Sequence, residues 1–139
     1  MWLQKSVKLQ AKPRGFHLVS DEILKALPEI STIHVGLLHI FLQHTSASLS
    51  INENADSSVR RDMESHFNQL APEDSPYYEH TYEGSDDMPA HIKSALLGCE
   101  MSLPIAQGSL KLGTWQGIYL GEHRNSASAR TLIATLTGE

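Results

Sequence analysis

Glu100-Met-Ser-Leu-Pro-Ile-Ala-Gln-Gly108-Ser-Leu-Lys-Leu-Gly113-Thr-Trp-Gln-Gly-Ile-Tyr-Leu-Gly121-Glu-His-Arg-Asn-Ser-Ala-Ser-Ala129-Arg-Thr-Leu-Ile-Ala-Thr-Leu-Thr137 decides the fold class. Apolar runs of strand length are punctuated by Gly108, Gly113 and Gly121. This pattern predicts a β-meander with strands near 100–105, 109–112, 114–122 and 129–137. Working outward, residues 2–10 alternate loosely and predict a strand with one apolar face. Lys12-Pro13-Arg14-Gly15 is turn chemistry. Ser20-Asp21-Glu22 opens a short helix that carries Ile23, Leu24 and Leu27 and stops at Pro28, with Ser20 the expected N-cap. Residues 32–43 are β-branched and apolar, as for a strand buried on both faces, and residues 46–51 are expected to pair with it. Residues 54–70 form the longest helix candidate, with Val59, Met63, Phe67 and Leu70 as its core stripe. A long loop, 71–84, leads to a helix that starts at Asp86-Asp87-Met88-Pro89 and ends at Gly98. Strands mixed with two or three helices make the chain α+β.

The chain has 139 residues, enough for one domain, 1–139, and one sizeable core. Its net charge is −5. That balance argues against nucleic acid or an anionic membrane as a partner, because phosphate-rich partners need a basic stripe. A single cysteine, Cys99, excludes an intrachain disulfide framework. No apolar run reaches the length of a transmembrane helix or of a signal peptide's core, so the expectation is a soluble cytoplasmic protein.

Eight histidines stand out, since imidazole is both a metal ligand and a proton carrier near neutral pH. His44, His91 and His123 fall at predicted element ends, where a rigid scaffold can aim side chains into a shared pocket. Their wide separation rules out a local metal motif, and residue type alone leaves them either ligands or structural. His17, His34, His39, His66 and His80 read as structural or exposed. His44-Thr45-Ser46-Ala47-Ser48 offers three hydroxyls beside Asn52-Glu53-Asn54 and a helix N-terminus, which suits a phosphate or merely a strand and a cap. Asp86 and Asp87 can bind a hard cation or simply favour a helix start. Arg124 and Arg130 can clamp a phosphate or carboxylate, or be solvated. Cys99, at a helix C-terminal end, has no nucleophile case. There is no P-loop, GxGxxG, GxSxG or CxxC motif.

Four motifs carry a resemblance: His44-Thr-Ser-Ala-Ser48, Asn52-Glu-Asn-Ala-Asp56, Asp86-Asp-Met-Pro-Ala-His-Ile-Lys93, and Gly113-Thr-Trp-Gln-Gly-Ile-Tyr-Leu-Gly-Glu-His-Arg124. In this order and over nearly the whole chain they closely resemble the YjbQ family, also called the secondary thiamine-phosphate synthase family, and above all its bacterial members. The resemblance implies a compact, sandwich-like subunit with a mixed or antiparallel sheet that assembles as a homotrimer. It also implies a divalent metal (Zn, Mn, Fe or Mg) held by His44, His91 and His123. Arg124, Ser46, Ser48 and Glu53 then take catalytic roles, and Thr45, Asn52, Asp86 and Asp87 bind substrate. The implied activity is a weak or secondary transferase reaction joining an aminopyrimidine diphosphate to a thiazole phosphate. The alternatives are an enzyme acting on another phosphorylated small molecule, or a non-catalytic metal- or anion-binding trimer. After Glu-His-Arg the family pattern continues with a histidine and two glycines. Asn125-Ser-Ala-Ser-Ala129 lacks them, and with them the easy positive-φ positions of a backbone anion nest.

Overall fold

The computed structural model describes residues 1–139. The strands are β1 (Trp2–Leu9), β2 (Gly15–Leu18), β3 (Val35–Leu42), β4 (Ala47–Glu53), β5 (Glu100–Ala106), β6 (Ser109–Leu110), β7 (Gln116–Glu122) and β8 (Arg130–Gly138). The helices are α1 (Ser20–Ala26), α2 (Ser57–Leu70) and α3 (Asp87–Leu97), with a 3-10 turn at Pro28–Thr32. They build two sheets, ordered β1-β8-β3-β5-β6 and β2-β7-β4, with every pairing antiparallel. The chain is thus α+β, and no helix is long and apolar enough to cross a membrane.

One core joins the two sheets. Leu9, Leu38, Ile40, Leu42, Leu132 and Leu136 come from the large sheet and Leu49, Ile118 and Leu120 from the small one, while Ile23 of α1 and Leu27 at its C-cap complete the cluster. Full burial of each such side chain contributes roughly 1.5–3 kcal/mol. Helix α2 lies against β2 and α3 against β4, so the two longer helices cover the second face of the small sheet.

Several expectations change. The meander does not form: β7 joins the small sheet and β8 runs between β1 and β3, so only β5 and β6 remain a hairpin of that stretch. Strand β4 pairs with β7 and not with β3. Strand β3 buries only Leu38, Ile40 and Leu42, while Val35, Leu37 and Phe41 face outward. The short β2 fell where the sequence shows only a turn and its sequel. Ser20 is not the cap of α1 but its first residue, and its Oγ accepts the Ile118 amide at 2.8 Å. Asp56, rather than Asn54, caps α2 by accepting the Ser58 amide. The stripe on α2 is only partly covered, and Leu70 is exposed. Helix α3 begins and ends as the sequence indicates, with Gly98 as its C-cap.

Candidate functional site

Gly84 turns the chain into α3 with φ +109°, a conformation that side-chain-bearing residues rarely adopt. A Cβ there would lie 2.8 Å from Asp86 Oδ1. The turn delivers Asp86 and Asp87 to the start of the helix, both buried. Arg124, just beyond β7, reaches across to hold them. Its Nε donates to Asp86 Oδ2 at 2.8 Å, its Nη2 donates to the Glu83 carbonyl at 2.8 Å, and its Nη1 lies 2.7 Å from Asp87 Oδ1. The Asn125 amide also donates to Asp86 Oδ2.

With one Asp87 oxygen fixed by Arg124, the other faces two imidazoles. His80 Nε2 is 2.6 Å and His91 Nε2 3.0 Å from Asp87 Oδ2. One donor atom from each of these three residues lies within 4.8 Å of the others. Asp87 and His91 are four residues apart on one helix face. His80 comes from the 71–84 loop and borders a cleft of about 110 Å³ with Thr81, Gly84 and Ser85. His91 Nδ1 donates to the Thr45 carbonyl at 2.8 Å, which fixes the ring so that Nε2 is turned toward Asp87. That approach is attractive only when a proton or a metal ion stands between the two atoms. The set therefore fits a divalent transition metal: two imidazole nitrogens and a carboxylate oxygen, with the partners of His91 and Asp87 fixing ligand orientation. Burial works to raise the Asp87 pKa, but the His80 hydrogen bond with the His91 and Arg124 charges outweighs it and holds the carboxyl below its ordinary value.

His44, His91 and His123 do not converge on one ion. His44 Nε2 accepts the Thr131 amide at 2.8 Å, so its ligating lone pair is taken. Burial, then the Arg130 charge, lowers its pKa. His123 is fully buried on the helix-covered face of the small sheet. Its Nε2 lies 2.8 Å from Ser48 Oγ, Phe16 packs edge-on against its ring, and its Nδ1 has no partner. Burial, then the positive charges of Lys93, Arg130 and Arg14, pushes its pKa down to about 3.

The expected catalytic and binding residues separate into groups. Thr45, Asp86, Asp87, His91 and Arg124 do gather at one place, although Arg124 is engaged by carboxylates and Asp87 is itself a donor. Ser46 and Ser48 are buried, the first accepting from Arg130 and the second meeting His123, so neither hydroxyl is open to a ligand. Asn52 and Glu53 sit at the far end of β4, roughly 20 Å along the strand from Thr45. There Asn52 Oδ1 accepts the Glu53 amide and Glu53 Oε2 accepts the Asp56 amide. Arg130 forms a bidentate buried pair with Glu122, at 2.7 and 2.6 Å, and stitches β8 to β7.

Sequence reasoning missed His80, because an aperiodic loop says nothing about where its side chains land. The four-residue spacing of Asp87 and His91 was the available signal. It also missed the interior network in which Arg14 Nη2 and Lys93 Nζ both donate to Asn68 Oδ1 at 2.7 Å.

A family model described as UPF0047 protein YjbQ-like matches residues 5–139. The chain is 57% identical over 139 residues to "UPF0047 protein YjbQ" of Escherichia coli O157:H7, covering 100% of both chains. It is 43% identical over 136 residues to a UPF0047 protein of Synechocystis, covering 98% of this chain and 92% of that one. Among solved structures, an uncharacterised YjbQ/UPF0047 protein of Clostridium acetobutylicum superposes with a TM-score of 0.82 at 32% identity, covering 97% of this chain and 99% of that one. A YjbQ-like protein of unknown function from Sulfolobus solfataricus shares the fold, with a TM-score of 0.86 at 22% identity over 100% of this chain and 99% of that one. On sequence and fold together, the chain belongs to the YjbQ-like UPF0047 family.

Proposed function

We propose that this chain is a cytoplasmic homotrimer that binds a divalent transition metal through His80, Asp87 and His91 and acts on a phosphorylated small molecule. The single observation that carries the reading is the His91 ring, fixed by the Thr45 carbonyl so that Nε2 meets Asp87 Oδ2 beside His80. The resemblance to the secondary thiamine-phosphate synthase family narrows the reaction. A thiazole nitrogen attacks the pyrimidine methylene carbon, a C–N bond forms, and the C–O bond to diphosphate breaks. No protein nucleophile is needed. A metal held here supplies positive charge to phosphoryl oxygens. Arg124 positions Asp87 rather than serving as a free phosphate clamp, since three of its nitrogens are engaged. Among the three hydroxyls of the 44–48 segment only Thr45 is exposed, so it is the one able to meet substrate. Self-association is supported by Trp2, Val35, Leu37 and Phe41, which lie exposed on the outer face of the large sheet.

Equilibrium dialysis of chelator-stripped protein against Zn²⁺ and Mn²⁺, followed by a thiamine-phosphate assay, tests the proposal. Near one metal per chain is expected, lost in His80→Ala and His91→Ala but retained in His44→Ala. Formation of thiamine phosphate should exceed the spontaneous rate and fall with the metal. No metal in the wild type overturns the donor set. Metal without any rate above the spontaneous one removes the transferase and favours the non-catalytic binding trimer. A monomer by light scattering at micromolar concentration removes the trimer.

A further inference from the structure

We infer that the open cavity between α2 and residues 14–17 is a second ligand site, built for a phosphate monoester that also carries hydroxyl groups. Its volume is about 610 Å³, and its walls include Arg14, His17, Ser57, Arg60, Arg61 and Glu64. Pockets of this size suit a small metabolite. The chain has only five arginines and a net charge of −5, yet three of the five line this one cavity. Such a concentration runs against the average charge and gives the cavity a local positive field.

The three arginines are not equivalent. Arg14 is spent inside the protein, donating to Glu64 Oε1 at 3.2 Å, Asn125 Oδ1 at 3.0 Å and Asn68 Oδ1 at 2.7 Å. Arg61 Nη1 donates to Ser57 Oγ at 3.1 Å, across one turn of the helix. The Arg60 side chain makes no hydrogen bond, and its Nη1 is buried without a partner. A buried, unpartnered guanidinium nitrogen is costly, and a bidentate phosphate is the acceptor whose geometry matches its fork.

Glu64 adds the second requirement. It stands one turn along α2 from Arg60, the spacing at which such a pair normally forms, yet the two do not pair. Glu64 Oε1 accepts from Arg14 and Asn68, while Oε2 is buried and without a partner. Two residues of the cavity wall therefore carry an unmatched donor and an unmatched acceptor, both covered in the unliganded chain and reached by turning the part-exposed Arg60 and Glu64 side chains. A bare anion answers only the first. A phosphate monoester with hydroxyls answers both, its phosphate on Arg60 and Arg61 and a hydroxyl donating to Glu64. The cavity shares no lining residue with His80, Asp87 and His91, so this site stands whether or not a metal binds there.

The test is calorimetric titration of the chelator-stripped full chain with ribose 5-phosphate, with ribose and inorganic phosphate run alongside. Ribose 5-phosphate is expected to bind with a Kd below about 1 mM, more tightly than phosphate, while ribose does not bind. Arg60→Gln should weaken binding by about tenfold or more, and Arg61→Gln should weaken it less. His91→Ala should bind as the wild type does, which separates this site from the metal reading. The Arg60 side chain holds no hydrogen-bond partner, so Arg60→Gln should melt no lower than the wild type. The inference is overturned if the wild type fails to bind ribose 5-phosphate, if Arg60→Gln binds it equally well, or if His91→Ala abolishes binding.

Discussion

Replacing His123 with glutamine should flatten the acid side of the stability profile. Folded His123 stays neutral down to about pH 3, because burial first, and then the charges of Lys93, Arg130 and Arg14, oppose its proton. In the unfolded chain the same ring takes up a proton near its ordinary value of 6.5. Between those limits the unfolded state binds more protons, so stability falls as the pH falls. The slope is roughly 1.4 kcal/mol per pH unit once below 6.5, which amounts to about 2 kcal/mol between pH 7 and pH 5. Urea unfolding at fixed protein concentration, with chelator present, gives the two free energies for wild type and His123→Gln. The variant starts lower, because the contact with Ser48 Oγ is altered, but it should lose about 2 kcal/mol less on acidification. Every other group is common to both proteins and cancels in the difference. Equal losses in the two proteins, or an NMR titration of His123 near pH 6.5, would refute the reasoning.

Two further outcomes follow from the same interior. Gly121→Ala places a Cβ onto Ser48 Oγ and 2.7 Å from His123 Cε1. It should destabilise by about 2–4 kcal/mol through overpacking and a lost buried hydrogen bond, read as a lower urea midpoint at unchanged m-value. Arg130→Met leaves Glu122 buried without its bidentate partner and should cost about 3–5 kcal/mol at neutral pH, whereas Arg130→Met with Glu122→Leu should recover most of that loss. Thermal melts of the single and double variants check it, and a double variant no better than the single would show that the ion pair is not the cause.

The amino-acid sequence by itself determined most of the local elements of this protein, though not the short β2. Gly98, Pro28 and the acids at 86–87 set helix ends through φ, a missing N–H and the helix dipole, and those signals act within a few residues. The loose period-two alternation of residues 2–10 marked a strand with one buried face for the same reason, and β1 spans Trp2–Leu9 of it. The spacing of Asp87 and His91 already put a carboxylate and an imidazole on one face of α3. Only the tertiary structure decided which strand pairs with which, because an apolar strand carries no mark of its partner. It sent β7 to the small sheet and β8 between β1 and β3, and so turned an expected meander into two sheets. That choice buried Ser48 and His123 beneath the helices and took His44 into a backbone hydrogen bond with Thr131. It also brought His80 out of an aperiodic loop to complete the donor set. Ligand geometry depends on a few ångströms between residues distant in the chain, and only the closed core fixes distances that small.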